Sequence, residues 1–250
     1  MEYFFAHVEN IPEGIGYGQF TPTHFTLIAI ALILVAVICR VYRMSGEKQR
    51  LVIRRAIALT LIAAEVIKFS LMAYIGVDIT IYLPLEICSF AVWAIVYDAA
   101  RYRSRSVHGI LMYIFFPAAL MALLFPSTTE SPALNFFSIH QFLFHAFIIA
   151  YVISRFLCGE LKTGYTEVWP SIGKTCILAG AVYIVDCIFD RNFMFLRNND
   201  NNSMLMIISG VTGEGLPYPL GLVVFVVIVI HIFFVIFKIA ERLVVRNAGT

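Results

Sequence analysis

Along the chain, long apolar runs alternate with short polar or basic stretches, and the runs fall at residues 24–42, 54–75, 81–98, 108–125, 137–157, 170–190 and 216–240. Each approaches the ~20 residues that a helix needs to cross the hydrocarbon core of a bilayer. Their continuous apolarity, rather than a one-sided stripe, marks helices that meet lipid or protein on every face. The pattern predicts an all-α polytopic membrane protein, a bundle of seven transmembrane helices, with residues 1–250 forming a single transmembrane domain. Between the runs, PSTTESPALNF at 126–136 reads as an ordinary exposed loop. Within the longer connection at 191–219, MLMII is too short to span and is expected to dip into the interface or cap the bundle.

Composition agrees with this reading. Hydrophobic residues make up 60% of the chain and charged residues 14%, against about 45–50% and about 25% in soluble domains, which excludes a water-soluble single core. The net charge of +2 gives no reason to expect a nucleic-acid partner. Five cysteines without CxxC or Cys/His pairing suggest neither a zinc knuckle nor a disulfide framework, and no metal or cofactor is expected. The opening MEYFFAHVENIPEG has no basic region and carries Glu2, Glu9 and Glu13, so it does not read as a cleavable signal peptide.

Charge placement sets an expected orientation. Arg40, Arg43, Lys48, Arg50, Arg54 and Arg55, then Arg101, Arg103 and Arg105, then Arg155 and Lys162, and finally Lys238, Arg242 and Arg246 fall on one side of the bundle, whereas the other side has only Arg191 and Arg197. The positive-inside rule then puts the N-terminus outside and the C-terminus in the cytoplasm of a multi-pass cell-membrane protein.

Ionisable groups inside a bilayer are costly, so each needs a reason. Glu65 and Lys68 are three apart and can neutralise each other, as a structural pair or as part of a site. Helix three opens IYLPLEICSF, with Pro84 expected in its first turn. Glu86 and Cys88 follow, pointing about 200° apart. Gln141 and His145 share a face of helix five, Asp186 lies near the end of helix six, and His24 begins helix one. In the expected orientation His24, Lys68, Glu86, Cys88, Gln141, His145 and Asp186 occupy the outer half of the membrane and Glu65 its middle. Such concentration implies a polar cavity opening outward.

Three chemistries suit that cavity. Cys88 as nucleophile and His145 as base would cleave an ester, with Gln141, Glu86 or Asp186 orienting the imidazole. His24, His145 and Asp186 offer a rival metal-hydrolysis set, though without HExxH or a comparable motif. Glu65, Lys68 and Glu86 could instead bind a small polar solute in a transporter or receptor.

The segments TPTHF at 21–25, LPLEIC at 83–88, ALLFP at 122–126, FLFH at 142–145, NFMFLR at 192–197 and GLPYP at 215–219 resemble, in order and spacing, the landmarks of the YwaF-like bacterial integral membrane proteins. That family is similar to the eukaryotic transmembrane protein 164 group, to which Cys-dependent phospholipid acyltransferase chemistry is assigned. The resemblance implies a multi-helix bundle acting on a membrane phospholipid or other acyl lipid. It places the family Cys on Cys88 and the family His of helix five on His145, with His24 and Asn192 as further matches. One departure stands out: the bacterial pattern Pro-Leu-His-Leu-Cys has Glu86 at its His position here.

Overall fold

The computed structural model describes residues 3–101, 107–213, 215 and 217–248, with side chains through residue 243. Glu2, Arg103, Arg105 and Leu216, and the side chain of Arg246, lie outside the described residues. The described chain is helical, with no strand among the described residues. Helix α1 spans Pro22–Met44 and α2 Glu47–Tyr74. The next apolar run differs from its expected extent. Ile79–Tyr82 forms a separate 3-10 turn, and α3 begins only at Ile87, ending at Ala100. Pro84 therefore precedes the helix instead of opening it: a proline disfavours helical geometry in the residue before it, and Leu83 is non-helical, with φ −48° and ψ 147°.

Helix α4, His108–Leu124, contains a π-helical stretch at Leu111–Phe115 whose five side chains are all buried. Helix α5 is Phe136–Leu157 and α6 is Val168–Phe189. The MLMII run starts the short helix α7, Leu205–Thr212, which packs against α8, Pro217–Ala248. Five helices, α1, α2, α5, α6 and α8, are long and apolar enough to cross a membrane, and α3 and α4 are shorter apolar helices.

Helix α5 occupies the centre. Ile148 to Val152 are all buried, and α1, α2 and α4 pack on α5. The outer helices turn large apolar side chains outward, including Ile33, Val66, Trp93, Ile177 and Val224. In lipid this outward apolarity adds nothing to cohesion, so the bundle depends on close packing and on polar ties between helices. Close packing is clearest at Gly109 of α4, where a Cβ would stand 2.6 Å from Ser171 Oγ of α6.

Polar ties define two ends. At the near end, where α1 starts, Asn135 caps α5 and donates to the carbonyls of Tyr3 and Ala6 at 2.7 and 2.9 Å. The 126–136 connection is not simply exposed: Tyr17 and Gly18 donate their backbone N–H groups to Ser131 and Thr129, and Ser131 is buried. Gly16 lies so tightly on this loop that a Cβ would meet the Thr129 carbonyl at 2.4 Å. The far end gathers the C-termini of α1, α3, α5 and α8 with the N-termini of α2, α4 and α6, through contacts such as Tyr42 with Glu160 and Thr163 with Glu241.

Candidate functional site

The near half of the bundle brings α2, α3 and α5 together around one ammonium group. Lys68 Nζ donates to both carboxylate oxygens of Glu65 at 3.0 and 3.1 Å, and His140 Nε2 stands 3.9 Å from the same carboxylate. Cys88 occupies the first turn of α3, where the charges of Glu86, Glu65 and Lys68 act on its thiol. The Lys68 charge also reaches His145. His145 Nδ1 lies 2.6 Å from the backbone carbonyl of Gln141. A carbonyl only accepts, so Nδ1 carries the proton and Nε2 keeps its lone pair. Nε2 makes no hydrogen bond among the described residues, nor does the Cys88 thiol.

Two backbone donors complete this corner. Ser89 and Phe90 give their N–H groups to the Glu86 carbonyl, leaving the N–H groups of Ile87 and Cys88 without a hydrogen bond among the described residues. Free amides in the first turn of a helix are the natural partners of a negative charge.

The other expected residues divide by task. Glu86 Oε2 accepts from the Met194 N–H at 3.0 Å, and Asp186 Oδ1 from the Phe193 N–H at 2.9 Å. Met194 and Phe195 have positive φ of 54° and 56°, a left-handed geometry that costs non-glycine residues roughly 1–2 kcal/mol each. The two carboxylates thus hold a segment that the chain would not adopt unaided. Asn192 pins the same segment, its Oδ1 accepting from the Arg197 and Asn198 N–H groups at 2.9 and 3.3 Å. At the solvent edge, Arg197 donates to Asp190 at 2.7 Å and holds its carboxyl below the usual carboxylate range. Asp78 is lowered likewise, first by the hydroxyl and N–H of Thr80 and further by Arg191.

His24 and Gln141 make helix-to-helix ties. His24 is fully buried, its Nδ1 accepting from the Phe20 N–H and its Nε2 donating to the Leu123 carbonyl, both at 2.9 Å. Gln141 Nε2 donates to the Ala122 carbonyl at 3.2 Å. His24, His145 and Asp186 are not drawn together: among the described residues no three His, Cys, Asp or Glu side chains form a metal-ligand cluster. All five cysteines are free thiols, including Cys88 and Cys187. An apolar groove of about 410 Å³ runs past Phe90, Ala94 and Tyr97 of α3 and Leu178 of α6. Those α3 positions lie roughly 180–240° around the helix from Cys88, so the groove is not part of the thiol's surroundings.

The sequence reading missed the far-end network. Asp98 of α3 accepts from Tyr151 and from Arg155 Nη1 of α5. Arg155 Nε also donates to Glu160 at 3.1 Å. Glu160 in turn accepts from the Tyr42 hydroxyl at 2.7 Å and faces Arg50 and Arg54 at 3.6 and 3.8 Å. The available signal was Asp98 itself, an acid ending an apolar helix.

Helices with lipid-suited outer faces, and polar groups gathered between them, define a multi-pass helical membrane protein. The profile described as the TMEM164 family matches residues 19–237, and the chain belongs to that family. No curated protein and no solved structure matches it.

Proposed function

We propose that the protein carries out acyl-lipid chemistry within the cell membrane, using Cys88 as nucleophile and His145 as base. The supporting observation is the state of His145: Gln141 fixes the proton on Nδ1, which leaves Nε2 able to accept one. A neutral thiol is a poor nucleophile and needs such a base. Nε2 takes the thiol proton as sulfur attacks an ester carbonyl of the lipid. The Ile87 and Cys88 N–H groups would receive the developing oxyanion. Collapse breaks the ester C–O bond, the leaving alkoxide takes the proton from the imidazolium, and an acyl thioester remains on Cys88. A second hydroxyl compound or water, deprotonated by Nε2, attacks the thioester and restores the thiol. The thiol and imidazole are not hydrogen-bonded to each other here, as is common before substrate closes a site. Glu65, Lys68, Glu86, Gln141, Asp186, His24 and Asn192 shape and hold the substrate region.

The same proposal includes a single domain crossing the membrane seven times, N-terminus outside and C-terminus in the cytoplasm. The far end carries Arg43, Arg50, Arg54, Arg155 and Lys238, which favours that orientation. Helix α3, with 14 residues, is only about 21 Å long. Its crossing is completed by the irregular lead-in before Ile87, where Ile79, Ile81 and Leu83 turn exposed apolar side chains outward, as a lipid-facing segment requires.

The experiment is intact-mass labelling of purified protein with an ester-linked acyl-lipid probe. A hydroxylamine-sensitive adduct is expected on wild type, absent from Cys88→Ala and slow to form on His145→Ala. An adduct that persists without Cys88 would rule out the mechanism. The Glu65–Lys68–His140 cluster favours one second reading, a binding site for a small polar solute. In that case Cys88→Ser keeps full function while Glu65→Gln and Glu86→Gln lose it.

A further inference from the structure

A cavity of about 310 Å³ opens at the near end, away from Cys88, lined by Arg197, Asn198, Asp200 and Asn201 of the loop, Ser209 of α7 and Tyr218 of α8. That volume lies at the small end of the range for ligand pockets. Its rim is built rather than incidental. Asn198 Oδ1 accepts from Asn192 Nδ2 and from the Asp200 N–H, at 2.8 and 3.0 Å. Asn199 bridges to Ser209 Oγ at 2.8 Å and accepts from the Asn201 N–H at 2.9 Å. Asp200 and Asn201 are held in consecutive left-handed conformations, with φ of 45° and 56°, which Asp and Asn adopt more readily than other side chains.

Once these bonds are made, the Asp200 carboxylate, the Asn201 carboxamide and Asn198 Nδ2 have no hydrogen bond among the described residues. The decisive group is Tyr218, which lines the cavity yet is only 1% exposed. Its hydroxyl is buried with no partner among the described residues, an arrangement that folded proteins avoid unless something else supplies the bond.

We propose that this cavity binds a neutral polyhydroxylated group, such as a sugar or cyclic polyol, with Tyr218 and Asn201 as its principal contacts. Hydroxyls on neighbouring carbons each donate and accept. The free groups match them: a carboxylate that accepts, a carboxamide that does both, and a phenol that does both. A phosphate requires donors and positive charge. Here Arg197 is already paired with Asp190 at 2.7 Å, and Asp200 adds negative charge. A quaternary amine requires an aromatic cage, and Tyr218 is the single aromatic side chain among the cavity residues. The ligand could come from solution or from a glycolipid head group, since α8 enters the apolar region directly below the cavity. The inference is independent of Cys88 chemistry.

The test is isothermal titration calorimetry of the full chain in a zwitterionic, sugar-free detergent, with glucose, myo-inositol and glycerol 3-phosphate as probes. Saturable binding of glucose or myo-inositol is expected, weakened about tenfold or more by Tyr218→Phe and lost in Asn201→Ala. Without ligand, Tyr218→Phe should melt at or above the wild-type temperature, which shows that the variant folds. Repeating the titration in nanodiscs of phosphatidylcholine, with and without glucosyl-diacylglycerol, identifies the source. Loss of the glucose heat only with the glycolipid supports a lipid head group; persistence in both supports a free solute. No saturable heat with either polyol, preferential binding of glycerol 3-phosphate, or equal affinity in Tyr218→Phe would overturn the proposal.

Discussion

The two ends of the bundle satisfy buried polarity to different degrees. At the far end Asp98, Tyr151, Arg155, Glu160 and Tyr42 form one connected network in which every acid meets a cation or a hydroxyl. Buried polar atoms without a hydrogen bond among the described residues are concentrated at the near end, at His7 Nδ1, Ser138 Oγ, His140 Nε2, Asp186 Oδ2, Arg191 Nε and Tyr218 Oη, although the far end also has such an atom in His108 Nε2, 3.5 Å from Asp98. A satisfied network fixes one arrangement of helices, whereas unsatisfied groups raise the energy of the folded state until something binds. The far end reads as a structural lock, and the near end holds the groups that the proposed chemistry would use.

The strongest way to break this comparison is to cut the lock. Asp98→Ala leaves Arg155, which is 4% exposed, without its buried carboxylate, and removing one member of a buried pair costs about 3–5 kcal/mol. The midpoint of denaturant unfolding in micelles should fall accordingly. The double variant Asp98→Leu/Arg155→Leu should recover much of the loss, since buried pairs contribute little net stability over apolar replacements. A single variant as stable as wild type would remove the distinction between the ends.

At the near end the sign should reverse. Ser138 is wholly buried and its hydroxyl is unpartnered. Ser138→Ala removes a desolvated polar atom and little volume, so it should leave the unfolding free energy unchanged or raise it by up to about 1 kcal/mol, with the midpoint moving the same way. A loss comparable with that of Asp98→Ala would show that the near end is also a lock. Groups that lower stability without making internal bonds are the pattern expected where function opposes stability.

The sequence exposed this contrast only in part. Apolar runs located the long helices because a lipid-facing helix needs apolar residues throughout, whatever it packs against. Glu65 and Lys68 could be paired in advance because helical spacing decides that contact, and it exists at 3.0 Å. The far-end lock was hidden because its members come from four helices and a loop. Arg54 and Arg155 read as interfacial charges, and Tyr42 and Tyr151 as parts of apolar runs. Glu86 and Asp186 were legible as buried acids, but their bonds to the Met194 and Phe193 N–H groups depend on a left-handed kink that residue spacing does not encode. His145 was legible as a polar residue in a helix, whereas the proton on Nδ1 follows from a carbonyl one turn back.

The smallest effect lies at the solvent edge of the near end, where Asp190 and Arg197 join at 2.7 Å. Arg197 holds the Asp190 carboxyl below its ordinary value of 3.8, so the charged form is favoured in the folded state. A lowered carboxylate contributes stability above its unfolded value, and that contribution is lost as pH falls through the folded value. The pair is largely open to water, so salt should weaken it too. Hydrogen exchange at the Arg197 and Asn198 amides is the suitable readout, because the loop can loosen while the bundle stays intact. At pH 6 the Asp190→Asn variant should exchange faster than wild type, and the two should converge as pH falls through the lowered folded value of the wild-type carboxyl. Equal rates at pH 6 would mean that Asn192 and Asp186 hold the loop alone, making the near end more rigid than the comparison with the far end requires.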